Sequence, residues 1–101
     1  MKSVALHTEA QAELDEAIGY YESRRAGLGL DLLTEVQEAL ERVRQNPLLC
    51  PRYRETPYRK CVLSRFRYIV FYRELEDVIW VAAVAHTSRK PGYWMHRTPE
   101  E

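Results

Sequence analysis

The chain has 101 residues, 46% hydrophobic and 30% charged, which is the size and balance of one folded globular domain spanning 1–101 and excludes a fibrous or disordered polymer. No apolar run approaches the roughly 18 residues a membrane span needs, the start from Met1 to His7 is too short for a secretory signal, and Cys50 and Cys61 lie in no C-x-x-C pair; the expectation is a cytoplasmic protein with two reduced thiols. The net charge of zero hides a division, since residues 1–50 carry five Lys/Arg against nine Asp/Glu (net −4) and residues 51–101 carry ten against six (net +4). Such a split is either two solvated faces or a basic surface that meets phosphates or an acidic partner.

In chain order, Val4 and Leu6 begin a short strand. Thr8 followed by Gln11 reads as a capping box, with the Thr8 hydroxyl and the Gln11 side chain satisfying amides of the first turn. The helix that follows places Ala10, Leu14, Ala17, Ile18 and Tyr21 on one stripe, and Arg24 and Arg25 suit the negative pole at its end. Gly27 is the expected stop. The G-x-G at Gly27-Leu28-Gly29 lacks a preceding strand and a third glycine, so it reads as a helix–helix turn and not as a nucleotide loop. A second helix is predicted over 30–45 with Leu33, Val36, Leu40 and Val43 inward, flanked by Leu32 and Ala39, and Asn46-Pro47 ends it.

Three prolines and two arginines make 47–57 a surface loop. Strands are predicted over 58–63, 66–73 and 78–85. In the middle one Phe66, Tyr68, Val70 and Tyr72 share a face against Arg67, Ile69, Phe71 and Arg73, while the last is nearly all apolar, as a strand covered on both faces would be. Tyr20, Tyr21, Tyr68 and Tyr72 read as core or cross-strand pairs, and residues 98–101 as a frayed tail. The order β-α-α-β-β-β predicts an α+β domain in which an antiparallel β-meander packs on an αα-hairpin, with the second sheet face left for function. The place of the first strand in the sheet stays open.

This order, with particular residues, resembles the RelE/ParE toxins of bacterial type II toxin–antitoxin systems, the ParE-like subgroup above all. The likeness rests on Ala17-Ile18-Gly19-Tyr20-Tyr21-Glu22, Gly27-Leu28-Gly29, Glu35-Val36-Gln37-Glu38-Ala39-Leu40 and Asn46-Pro47. It rests most on Leu63-Ser64-Arg65-Phe66-Arg67-Tyr68-Ile69-Val70-Phe71-Tyr72-Arg73 and Ala83-Val84-Ala85-His86-Thr87-Ser88-Arg89-Lys90-Pro91-Gly92-Tyr93-Trp94. The resemblance implies a small toxin neutralised by a cognate antitoxin, with which it can form a higher-order complex. It leaves the target between DNA gyrase, bound without chemistry, and ribosome-bound mRNA, cut as RelE-like members cut it; a third reading is an orphan or degenerate member.

RNA cleavage at a 2′-hydroxyl needs a base, a cation for the strained phosphate and a donor to the leaving oxygen. The residues that could supply this chemistry are Arg65, Arg67, His86 and Arg89; those that could bind a target are Arg65, His86, Arg89, Tyr93 and Trp94. His86 stands where the apolar strand gives way to a polar loop, and is either functional or a strand-end histidine bonded to backbone. Arg67 reads equally as solvated charge and Trp94 as core packing. RelE-type nucleases resemble this chain but carry arginine after the aromatic that aligns with Tyr68. Here that residue is Ile69, and the second strand keeps only Arg59 and Lys60 of a lysine-rich pattern. Both departures favour a non-nuclease poison that acts on gyrase.

His7, His86 and His96 show no metal-ligand spacing, so no metal and no cofactor are expected. An antitoxin is expected to cover the helix hairpin or the adjoining sheet face, with salt-sensitive affinity, and truncation of Leu33, Val36 or Leu40 to alanine to unfold the domain.

Overall fold

A computed structural model describes residues 1–99. Six elements follow in the expected order: β1 (Ser3–Leu6), α1 (Thr8–Arg24), α2 (Leu28–Gln45), β2 (Arg59–Val62), β3 (Tyr68–Glu74) and β4 (Val78–His86). The last three strands form the antiparallel meander. The sheet order is β1-β4-β3-β2, so β1 lies parallel along the outer side of β4 and makes the sheet mixed. The apolar β4 thereby gains a neighbour on both edges, and residues 79–85 within it are all buried.

Helix α1 buries Ala10, Leu14 and Ala17 as its spacing requires, but its cap is not Thr8. The His7 N–H still donates to Val81 O of β4 at 2.9 Å, so the chain leaves the sheet one residue before Thr8. The His7 ring takes the capping role, its Nδ1 accepting from Glu9 N at 3.1 Å, while the Gln11 side chain turns to Asp15 at 3.0 Å. Gly27 proves to be the cap of the second helix as much as the stop of the first: it adopts φ 90° and α2 begins at Leu28, ahead of the predicted residue 30. The Glu22 carboxylate of α1 accepts from the N–H groups of Gly27 and Gly29, satisfying amides that a helix start leaves unpaired.

Gly29 is buried, and a Cβ there would stand 2.6 Å from Ile18 O, so the two helices meet backbone to backbone at this point. That close approach selects which of two adjacent apolar columns of α2 turns inward. Leu32, Val36, Ala39 and Val43 are buried; Leu33 and Leu40, expected on the inner stripe, are only half-buried at its flank. Leu32→Ala should therefore cost about 2–5 kcal/mol and Leu33→Ala clearly less, as midpoint shifts in urea would show. Equal losses would place the helix axis about one residue, roughly 100°, away from the arrangement described.

On the helix side of the sheet Val70, Tyr72, Ile79, Val81 and Val84 complete the core, and Phe66 joins them from the turn before β3, its ring 4.9 Å from Tyr21. Tyr20 is the exception among the tyrosines: it is 52% exposed, not packed in the core. The opposite sheet face is not open, contrary to expectation. Tyr53 from the 47–57 loop and Trp94 from the segment after β4 close over Phe71 of β3 and Trp80 of β4, and with Tyr58 they form an aromatic layer on it. That segment is not a loose tail as far as Arg97, which is 5% exposed; of the tail predicted over 98–101, Glu100 and Glu101 lie outside the described residues.

Candidate functional site

The apolar run of β4 ends at His86, the last register partner of Tyr68, and the two rings meet edge to face at 5.2 Å. One further backbone bond, from Thr87 N to Arg67 O at 2.9 Å, carries the pairing past the strand end. The chain then turns, with Arg89 N donating to His86 O at 3.0 Å. Ser88 N donates to His86 Nδ1 at 3.0 Å, and the Ser88 hydroxyl lies 2.8 Å from the same nitrogen. A backbone N–H can only donate, so Nδ1 is an acceptor and the neutral ring carries its proton on Nε2.

Gly92, at φ 76°, reverses the chain so that Tyr93 and Trp94 come back over the sheet. Trp94 is 1% exposed, lies tilted over Phe71 at 4.6 Å and meets Tyr58 edge to face at 4.8 Å. Tyr93 is half-buried, with the Arg89 guanidinium 3.8 Å above its ring. Its hydroxyl donates to Glu13 Oε2 at 2.5 Å. Burial first, and the Glu13 carboxylate second, push the Tyr93 phenol far above its ordinary pKa.

Glu13 is the centre of this arrangement. β1 ends at Leu6 opposite Val81, so β4 runs on with one edge bare. The Glu13 carboxylate fills part of that edge by accepting from Val84 N at 3.0 Å. It also accepts from both terminal nitrogens of Arg97, at 3.1 and 2.9 Å. Arg97 Nη1 donates in addition to Ala82 O at 2.9 Å. Ala82 is the extra residue of a β-bulge, because Phe71 pairs with Ala83 and Tyr72 with Val81. One carboxylate and one guanidinium thus join α1, the irregular part of β4 and the C-terminal segment.

The result is a cavity of about 170 Å³ at the end of β4. Ile69, Phe71, Ala85 and Trp94 form its apolar walls; Arg54, Lys60, His86, Arg89 and Lys90 surround them, and among the described residues no aspartate or glutamate lines it. His86 also borders two shallower depressions on the helix side, one reaching Arg67 and Tyr68 and one reaching Glu13 and Glu16. Among the residues singled out from the sequence, His86, Arg89, Tyr93 and Trp94 therefore come together, with Trp94 as buried wall and not as free surface. Arg67 joins His86 from the other side. Arg65 does not join them: it is exposed at the start of α2, 3.4 Å from Asp31, in a turn held by Glu35, which accepts from Ser64 N at 2.6 Å. Sequence reasoning missed Tyr53, Arg54 and Lys60 as site residues, and it missed the Glu13–Arg97 pair. For Tyr53 and Arg54 the signal was the basic excess of the second half, which names no residue; Lys60 was read only as the remnant of a lysine-rich strand. Among the described residues no group of three or more His, Cys, Asp or Glu is placed to hold a metal ion, and no helix is long and apolar enough to cross a membrane.

A family model described as the ParE toxin of the type II toxin–antitoxin system parDE matches residues 4–91. Among solved structures, one described as a chromosomal ParDE TA system from P. aeruginosa superimposes with a TM-score of 0.62. It shares 22% identity over 85% of this chain and 96% of that one, a likeness that speaks for the fold. No curated protein matches the chain.

Proposed function

Since this chain belongs to the ParE family of toxins from type II toxin–antitoxin systems, we propose that it poisons by binding, inhibits DNA gyrase through the cationic end of β4, and is neutralised by a cognate antitoxin in the cytoplasm. The observation that carries the proposal is Ile69. The position where an RNA-cutting relative would present arginine to the phosphate is here an aliphatic wall of the cavity. The acid–base inventory points the same way. Tyr93 keeps its proton at neutral pH because its hydroxyl is buried and bonded to Glu13, no carboxylate among the described residues lines the cavity, and His86 Nδ1 is occupied by Ser88. A base and an acid on opposite sides of a 2′-hydroxyl and its leaving oxygen are thus not both present. Cations around an apolar pocket are instead suited to anchor an acidic or phosphate-bearing target.

Two assays test this. In supercoiling by purified gyrase the protein is expected to inhibit, and Arg89→Ala to raise the half-inhibitory concentration on the order of tenfold or more, the size of a binding hot spot. In primer extension on translated mRNA it is expected to leave the message intact. Site-specific cuts in the ribosomal A site, lost in His86→Ala, would make the protein a ribonuclease.

The antitoxin, expected on the helix hairpin or the adjoining sheet face, is proposed to pack on the hairpin, because the aromatic layer covers the second sheet face. The charge division between the two halves of the chain motivates the expectation that its Kd rises with salt. An affinity equal at low and high ionic strength would remove the electrostatic part of this proposal.

A further inference from the structure

Cys50 and Cys61 are both free thiols and both buried, at 7% and 8% exposure, on the helix side of the sheet. Eleven positions separate them in sequence, yet the backbone sets them opposite each other. Beyond β2 the preceding loop runs back antiparallel to it. Tyr53 N donates to Tyr58 O at 2.8 Å and Lys60 N to Pro51 O at 3.0 Å, and these two bonds bracket the isolated bridge Arg52↔Arg59. One step on each side of the Pro51 and Lys60 pair, the same register brings Cys50 across from Cys61. Bonded and unbonded pairs alternate along an antiparallel ladder, and Pro51 with Lys60 is a bonded pair, so Cys50 and Cys61 fall at a position without ladder hydrogen bonds between them.

Directly opposed residues at such positions approach to about 4.5 Å between Cα atoms, within the range that a disulfide spans. Both side chains belong to the same buried cluster on the helix side of the sheet. Arg59 Nη1, donating to Cys50 O at 2.8 Å, holds the Cys50 backbone against β2.

We propose that Cys50 and Cys61 are a modification site, a dithiol that a peroxide converts into a cross-strand disulfide stapling the loop of Tyr53 and Arg54 to β2. In the first step one sulfur attacks hydrogen peroxide, becomes a sulfenic acid and releases one water. In the second the other sulfur displaces the hydroxyl, the S–S bond forms, and the thiol proton leaves with it as a second water. Each sulfur is oxidised by one electron and the two peroxide oxygens are reduced. Burial above all, and then the neighbouring Cys50, push the Cys61 thiol up to about 12, so thiolate is scarce at neutral pH and the reaction is slow. The pair is a staple formed under sustained oxidation, not a fast sensor. Because Tyr53 and Arg54 line the cationic cavity, the staple acts on one of its walls whatever the target of the toxin is.

The full chain, folded and at low concentration to suppress cross-linking, is exposed to hydrogen peroxide at neutral pH. Intact mass and thiol alkylation follow the chemistry, and a thermal melt follows the fold. The expected product has lost two hydrogens and both alkylatable thiols, yields one cross-linked peptide containing residues 50 and 61, and melts on the order of 10 °C higher because a loop is closed in the unfolded state. A thiol reductant should restore the starting mass and melting point. Cys50→Ser and Cys61→Ser should show no upward shift under the same treatment. Sulfinic acid on either sulfur, disulfides between chains only, thiols that stay alkylatable while the protein is native, or a lowered melting point in the intramolecularly linked species would each overturn the assignment.

Discussion

Arg97→Ala should cost the domain about 3–5 kcal/mol, the loss typical of removing one member of a buried ion pair. The Arg97 side chain is 4% exposed and that of Glu13 16%, so both charges are largely shielded from water, and Glu9, 3.7 Å from Arg97, is the other carboxylate near the guanidinium. The substitution also strips Ala82 O of its donor. In a domain of this size the melting temperature should fall by roughly 15 °C or more. A variant that melts within about 2 °C of the parent would mean that the segment after β4 contributes nothing to the fold.

The same pair predicts an acid limit. Burial by itself would raise the pKa of Glu13, but hydrogen bonds from Arg97, Tyr93 and Val84 outweigh it and hold the carboxyl below the reference value of 4.5. A group whose folded pKa lies below its unfolded one stabilises fully above the unfolded value and ceases to do so as pH falls through the folded value. Stability should therefore drop as pH falls from about 5 toward 3, and Glu13→Gln should flatten part of that slope while lowering stability at neutral pH. Thermal melts across that range, parent against variant, make the comparison.

Trp94→Ala is expected to be as damaging, about 3–5 kcal/mol, because a large buried ring is lost from a packed layer. Phe71, Tyr58 and Tyr53 lie 4.6, 4.8 and 5.6 Å from it, centroid to centroid, and would be left facing a void. Arg97 and Trp94 anchor one short segment. Once either anchor goes, the other holds less, so the double variant should cost less than the sum of the two by roughly 1–3 kcal/mol. Strict additivity in urea unfolding would mean that the two anchors act on separate parts of the structure. Growth arrest should vanish in both single variants at temperatures where they unfold, and return on cooling.

The site divides along the same line. That His86, Arg89, Tyr93 and Trp94 meet at one cavity was legible because they follow one another within nine positions at the end of an apolar strand, and a change from apolar to polar residues marks where such a strand emerges. Tyr53, Arg54 and Lys60 were not, since nothing in a surface loop or a short strand says which wall of which cavity it will form. Arg65 looked like a member because it belongs to a recognisable stretch, but its turn is drawn to Glu35 and Asp31 of α2. Stretches of sequence carry family likeness, whereas a site is assembled from whatever side chains the packing brings within a few ångströms.

By itself the sequence determined the kind and order of the six elements, the antiparallel meander and the family. The elements rest on local periodicity, 3.6 for the helices, two for β3 and an unbroken apolar run for β4, and the family on the resemblance of particular stretches. Tertiary structure alone decided what depends on distant partners. The cap moved from Thr8 to His7 because the His7 N–H is still tied to β4, and the inner column of α2 became that of Leu32 because Gly29 lets the helix backbone approach Ile18. The second sheet face closed because aromatic rings from two loops bury more apolar surface there than water would leave exposed. Glu13 and Arg97, 84 positions apart, became one buried pair because a strand with a bulge and a bare edge had polar backbone groups to satisfy, and no periodicity in either segment records that need.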